Sequence, residues 1–195
     1  MSTPRIVLAS TSRYRAELLR RIVAEFEQAA PNVDESEVPG EASGARALRL
    51  AIAKAEAVAR DHPDALVIGS DQVAALGNTI LHKPGSIENA RKQLRSSSGN
   101  CVDFHTGLCV IDPRSGKPRS ALDHTRVVFR ELTDAEIDRY LERERPLDCA
   151  GSFKSEGAGI ALFERIESED PTALIGLPLI ALARLLREAG YALPR

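Results

Sequence analysis

The chain has 195 residues, 43% of them hydrophobic and 28% charged, which fits a single globular domain over residues 1–195 and excludes disorder as the default state. Lys plus Arg total 26 against 28 Asp plus Glu, a formal charge of −2, which argues against nucleic acid as the main partner, since phosphate-backbone binders carry a net basic surface. Only 4% is aromatic, with no Trp, so the apolar content is mainly Ala, Leu, Ile and Val, the material of helices on a buried sheet, and an α/β class is expected.

In chain order, Arg5 to Ala9 reads as a short buried strand, and its apolar run is too short for a signal peptide or a membrane span, so a cytoplasmic location is expected. Ser10-Thr11-Ser12 supplies capping hydroxyls for a helix beginning near Tyr14, with Leu18, Leu19, Ile22, Val23 and Phe26 on one face. A second helix is predicted from about Ala45 to Asp61, with Leu48, Ala51, Ile52, Ala55, Val58 and Ala59 inward. Ala65 to Asp71 is a continuous apolar run ending in a carboxylate, as for a central strand whose end opens into a site. Gly77-Asn78 turns a hairpin into Thr79 to His82, and a helix follows over Ser86 to Ser96 with Ala90 and Leu94 inward. Two strand-like stretches come next, Val102 to Ile111 and Ser120 to Phe129.

Thr133 and Glu136 form a capping box that opens a helix through about Arg143. Leu147 to Gly159 is a Gly-rich loop carrying Asp148, Ser152, Lys154, Ser155 and Glu156, more polar chemistry than a connection needs. The last helix, led by Pro178, is expected to bury Leu179, Leu182, Ala183 and Leu186 and to stop at Gly190. Cys101, Cys109 and Cys149 lie in no CxxC pattern, so reduced thiols are expected. His62, His82, His105 and His124 show no metal-ligand spacing and take no role.

Several residues could carry chemistry. Ser10 through Arg15, where a strand hands over to a helix, offers backbone N–H groups, hydroxyls and guanidinium groups to a phosphate chain; the plainer alternative is that the hydroxyls cap the helix and the arginines are solvated. The segment has no Walker-type glycines. Asp71 would sit at the mouth of a sheet, where open α/β folds place ligands, or would form a turn. Asp34-Glu35 could supply a magnesium ligand or be solvated. Lys54, on the flank of the second helix, and Lys83, before Pro84, could reach a sheet-end pocket or simply edge an apolar face.

With Leu8-Ala-Ser10-Thr-Ser-Arg-Tyr-Arg15, Asp34-Glu35, the Lys54 helix, Ile68-Gly-Ser-Asp71-Gln72, Lys83-Pro84, Ser98-Gly99, Thr106-Gly107, Cys149 through Gly157 and Gly176-Leu-Pro-Leu in order, the chain resembles the Maf family of nucleotide pyrophosphatases. The GSDQ and GSFKSEG wording is similar to the branch that hydrolyses 7-methyl-GTP. The resemblance implies an α/β fold with an elongated twisted mixed sheet flanked by helices, two lobes and an active-site cleft between them. It implies cleavage between the α and β phosphorus atoms with a divalent cation (Mg2+, Mn2+ or Co2+) as cofactor. By motif position Asp71 is similar to the general base, Ser10, Arg15, Lys54 and Lys83 to the phosphate-binding set, Glu35 with Asp71 to the metal-associated acids, and Tyr14, Gln72 and Glu156 to the positions tied to base specificity. The implied partner is a small nucleotide, with neither nucleic acid nor membrane, and a homodimer is admitted. One departure is visible: where the family reads Ser-Pro, this chain has Ser12-Arg13.

Methylation at N7 makes guanine cationic, so a Tyr14 face would gain a cation–π contribution of roughly 0.5 to 2 kcal/mol over the unmethylated base. A Glu156 carboxylate could accept from guanine N1–H and the exocyclic amine. A sister-branch pyrophosphatase acting on UTP, dTTP or other modified nucleotides, a non-catalytic nucleotide sensor tied to cell division, and an unrelated phosphate-binding protein are the competing readings. Tyr14 and Gln72 speak against the pyrimidine branch, which resembles instead chains with Arg and Thr at those positions.

Overall fold

A computed structural model describes residues 4–114 and 116–194. The elements are β1 (Arg5–Leu8), α1 (Arg13–Leu19), β2 (Glu27–Gln28), α2 (Ser43–Ala59), β3 (Ala65–Leu76), β4 (Thr79–Leu81), α3 (Ile87–Ser97), β5 (Cys101–Asp112), β6 (Lys117–Phe129), α4 (Asp134–Glu144), β7 (Phe163–Glu167) and α5 (Leu179–Glu188). The strands form one mixed sheet in the order β2-β1-β3-β5-β6-β7, with β4 paired to β3. The α/β class is as expected. The chain divides into two compact units: one holds the described residues of Met1–Asp71, Thr106–Asp123 and Asp170–Arg195, the other Gln72–His105 and His124–Glu169.

In the first unit, β1 pairs in parallel with β3, Ile6 opposite Leu66 and Val7 opposite Val67. Because successive strand side chains point to opposite faces, a continuous apolar strand must be covered on both. Ile6, Leu8, Leu66, Ile68, Leu108 and Val110 face α1 and α5 through Leu18, Leu19, Leu182 and Leu186. Val7, Ala9, Ala65, Val67, Cys109 and Ile111 face α2 through Ala51, Ala55 and Val58. Helix α5 buries Leu179, Leu182, Leu185 and Leu186, with Leu185 taking the place expected of Ala183, which is only half-buried. Its start is held by Asp170, which accepts from the Ile180 N–H at 2.6 Å.

Helix α1 is shorter than its apolar spacing predicts. It ends at Leu19, and the following turn returns the chain to β2, where Glu27 pairs in parallel with Val7. Ile22, Val23 and Phe26 nevertheless pack on the same cluster as Leu18 and Leu19, so the apolar period marks the buried face and not the helix length. A second correction concerns Asp71. Strand β3 does not stop there but continues to Leu76, because Val73 to Ala75 carry the apolar run on and Ala74 to Leu76 pair antiparallel with β4, Ala74 opposite Leu81. The Gly77-Asn78 turn is where it was expected, with Gly77 at φ 56°.

In the second unit four of the chain's five phenylalanines gather as Phe104, Phe129, Phe153 and Phe163, edge to face with ring centroids 4.7 to 5.7 Å apart. Helix α4 opens on the expected capping box of Thr133 and Glu136. Strand β7, unforeseen because its Phe-Glu-Arg-Ile-Glu text reads as charged, pairs antiparallel with β6. The Gly-rich segment holds two short 3-10 turns, Ala150–Ser152 and Ala158–Leu162. Much of its polar chemistry serves its own shape. Lys154 Nζ donates to the Glu144 carbonyl at 2.8 Å, a cation on a helix C-terminus. The Ser152 hydroxyl donates to Gln93 at 2.6 Å, and a Glu144 carboxylate oxygen accepts from the Ala158 N–H at 2.9 Å.

Candidate active site

Two glycines bring α2 onto the sheet. A Cβ on Gly69 would run into the Ala51 carbonyl oxygen and stand 2.7 Å from Ala55 N, and one on Gly107 would strike the Ala47 carbonyl and stand 2.8 Å from Leu48 N. Only glycine allows that approach of helix backbone to strand backbone. Lys54 lies on the turn between Ala51 and Ala55, so the close contact at Gly69 carries its side chain to the strand two residues further on.

Lys54 Nζ stands 2.6 Å from Asp71 Oδ1 and 2.7 Å from Glu35 Oε1. Its side chain is 7% exposed and that of Asp71 11%, whereas Glu35 is 56% exposed. A buried ammonium is tolerated only where carboxylates answer its charge. Here there are two. Arg15, half-buried, is the second cation: loss of solvent pushes its guanidinium below its usual pKa, and the charges of Asp71 and Glu35 oppose that fall. Its Nε donates to the Gly176 carbonyl at 2.9 Å. Lys54 and Arg15 balance Asp71 and Glu35, so the cluster carries no net formal charge.

Ser70 is a residue that the sequence reading passed over. Its buried hydroxyl reaches the carbonyls of Gly107 and Gly176 at 2.9 and 3.0 Å, which joins the Gly176 backbone that holds Arg15 to the strand that holds Asp71. A serine inside an otherwise apolar run was the available signal, since such a buried hydroxyl has to find a partner.

The Asp34-Glu35 pair divides. Asp34 turns onto its own loop and accepts from the Ser36 N–H at 2.9 Å, while Glu35 turns inward to Lys54 and its carbonyl accepts from Arg46 at 3.1 Å. Ser12 caps α1, accepting from the Arg15 N–H at 3.4 Å, as the plainer alternative supposed, whereas buried Ser10 accepts from the Ser12 N–H at 3.1 Å in the turn before the helix. Tyr14 is half-buried and accepts from Arg13 at 2.8 Å.

Thus Ser10, Tyr14, Arg15, Glu35, Lys54 and Asp71 all belong to the first unit, with Lys54 in direct contact with both acids. Gln72, Lys83 and Glu156 belong to the second. Within it Gln72 is half-buried on β3, Lys83 is exposed beside buried Pro84, and Glu156 is exposed in the turn before Gly157, beside Ser155.

Among the described residues no three or more His, Cys, Asp or Glu side chains cluster into a metal cage. Two carboxylates that converge on one cation are nevertheless the hard oxygen donors that magnesium-like ions take together with substrate phosphates, so Glu35 and Asp71 fit such an ion by donor chemistry. The three thiols form no disulfide, and burial pushes that of Cys109 up to about 12. No helix among the described residues is long and apolar enough to cross a membrane.

A family model described as "Maf-like protein" matches residues 5–189. The chain is 58% identical over 191 residues to a protein named 7-methyl-GTP pyrophosphatase from Xanthomonas oryzae pv. oryzae (strain MAFF 311018), covering 98% of this chain and 100% of that one. It is 55% identical over 188 residues to a protein of the same name from Cupriavidus pinatubonensis, covering 96% and 94%. A third, from Aromatoleum aromaticum, is 55% identical over 194 residues and covers 100% of both chains.

Proposed function

Because the chain belongs to the Maf family, we propose that it is a hydrolase that converts 7-methyl-GTP to 7-methyl-GMP and pyrophosphate. The observation that carries the reading is the buried Lys54 held between Asp71 and Glu35, an arrangement whose desolvation is costly and which structural stability alone does not require. The naming of relatives at 55 to 58% identity as 7-methyl-GTP pyrophosphatases supports the substrate.

In this reading Asp71 takes the proton of the attacking water as the water oxygen bonds to the α-phosphorus and that atom's bond to the α,β-bridging oxygen breaks, so that pyrophosphate leaves. Lys54 holds Asp71 in place from one side through Oδ1 and, with Arg15, Ser10 and Lys83, receives the polyphosphate. The ion cluster is already balanced, so a triphosphate brings negative charge that the four side chains do not offset. A divalent cation on Glu35 and Asp71 would supply that neutralisation and would polarise the phosphates. Tyr14 stacks on the base, and Gln72 and Glu156 read its edge. A cytoplasmic setting and a homodimer complete the proposal.

The test is a product assay of purified protein on 7-methyl-GTP, GTP, UTP and dTTP with and without magnesium or manganese. Pyrophosphate and 7-methyl-GMP should be released together, and only with the ion. Asp71→Asn should lose on the order of a hundredfold or more in kcat while 7-methyl-GMP still binds. Stepwise release of single phosphates, or near-normal turnover of a folded Asn variant, overturns the assignment.

A further inference from the structure

Helix α1 begins at Arg13, with no acidic residue in its first turn. A cation there is disfavoured by the helix dipole, and neighbouring helix residues do not normally face each other. Arg13 nevertheless folds back over Tyr14. Its guanidinium carbon stands 4.7 Å from the ring centroid, within cation–π range, and one of its terminal nitrogens donates to the Tyr14 hydroxyl at 2.8 Å. The two contacts together fix a tethered positive charge on one face of the aromatic ring.

We infer that Arg13 is a specificity-determining residue that narrows the preference for a cationic over a neutral base by covering one face of Tyr14 with its own charge. The inference rests on the proposed stacking of the base on Tyr14. A 7-methylguanine that stacks on the remaining face meets, across the ring, a charge of its own sign, and a neutral guanine does not. Displacement of Arg13 would cost the same for either base, so the narrowing arises while Arg13 stays over the ring, where the cation–π gain that would select the methylated base is reduced.

The inference turns on Arg13→Gln, which keeps a hydrogen-bonding side chain and removes the charge, and Arg13→Lys, which keeps the charge. The readouts are the ratio of kcat/KM for 7-methyl-GTP over GTP and, without turnover, the affinities for 7-methyl-GMP and GMP by calorimetry. Arg13→Gln should raise both ratios about two- to fivefold, the span of an exposed cation–π contact, and Arg13→Lys should stay near wild type. Added salt should raise the wild-type ratio by screening the repulsion and leave that of the Gln variant unchanged. If wild type hydrolyses 7-methyl-GTP and the Gln variant keeps its ratio, the inference fails and the activity stands. An equal loss for both nucleotides makes Arg13 a phosphate ligand and also overturns it. Wild type that neither hydrolyses 7-methyl-GTP nor prefers 7-methyl-GMP removes the reading beneath.

Discussion

Two sets of ion pairs, one in each unit, use the same chemistry under opposite solvation. In the first unit Lys54 bridges Asp71 and Glu35 with side-chain exposures of 7% and 11% for Lys54 and Asp71. In the second, Arg91 with Asp138 and Arg95 with Asp134 tie α3 to α4 at 2.7 and 2.6 Å, and Arg95 and Asp134 are 51% and 66% exposed. Distance does not separate the two sets. Water does: exposed pairs gain little because solvent and salt screen them, whereas a buried pair is costly to assemble and costlier to break. A short ion pair is therefore informative about function only when its burial is known.

Removing the buried cation is the largest perturbation. Lys54→Met should destabilise the protein by about 3 kcal/mol, the low end for a broken buried pair because Glu35 is half in water, and should abolish pyrophosphate release. A denaturant midpoint equal to wild type would break the contrast between the two sets. Gly69→Ala tests how the cation is delivered. The new methyl would meet the Ala51 carbonyl and Ala55, so overpacking should cost about 1 to 3 kcal/mol. Lifting α2 should lower kcat further than the stability loss explains, and parallel losses would contradict the glycine-contact account.

In the second unit Thr133→Ala should cost about 1 kcal/mol through the lost helix cap. Its partner Glu136 is pushed down to about 2, chiefly by the Thr133 N–H, then by the Thr133 hydroxyl and Arg130. The folded value lies below the ordinary one of about 4.3. Its stabilisation is therefore complete above that value and is lost as pH falls toward 2. Denaturant midpoints of wild type and Glu136→Gln should differ at pH 6 and converge near pH 2. Arg95→Gln, at the exposed pair, should leave the midpoint within error of wild type, and a clear loss there would mean that solvation does not set the ranking.

Patterns of residue type at short range were legible in the sequence. The continuous apolar runs Ile6 to Leu8 and Leu66 to Ile68, the capping box at Thr133, the Gly77-Asn78 turn and the apolar face of α5 all follow from local pattern and backbone preference, which neighbours in sequence enforce. The motif order singled out Ser10, Arg15, Glu35, Lys54 and Asp71 as candidates, and of these Lys54, Glu35 and Asp71 meet directly. Local periodicity did not fix where α1 ends, because Ile22 to Phe26 keep their buried face without the helix. Nor did it reveal that β3 runs past Asp71, since the pairing with β4 and not the apolar run decides strand length. The four-phenylalanine cluster unites residues from four separate stretches of chain.

The sequence by itself determined the helices, the longer strands, the α/β class and the family, for these rest on short-range pattern and on motif order, whereas the short strands β2 and β7 were not legible. Tertiary structure alone decided that Glu35 and not Asp34 meets Lys54, that Ser70 joins the Gly176 backbone to the Asp71 strand, and that Arg13 covers Tyr14. Each of those is a choice of partner or side-chain direction that is settled by distance in the folded chain, which the order of residues does not encode.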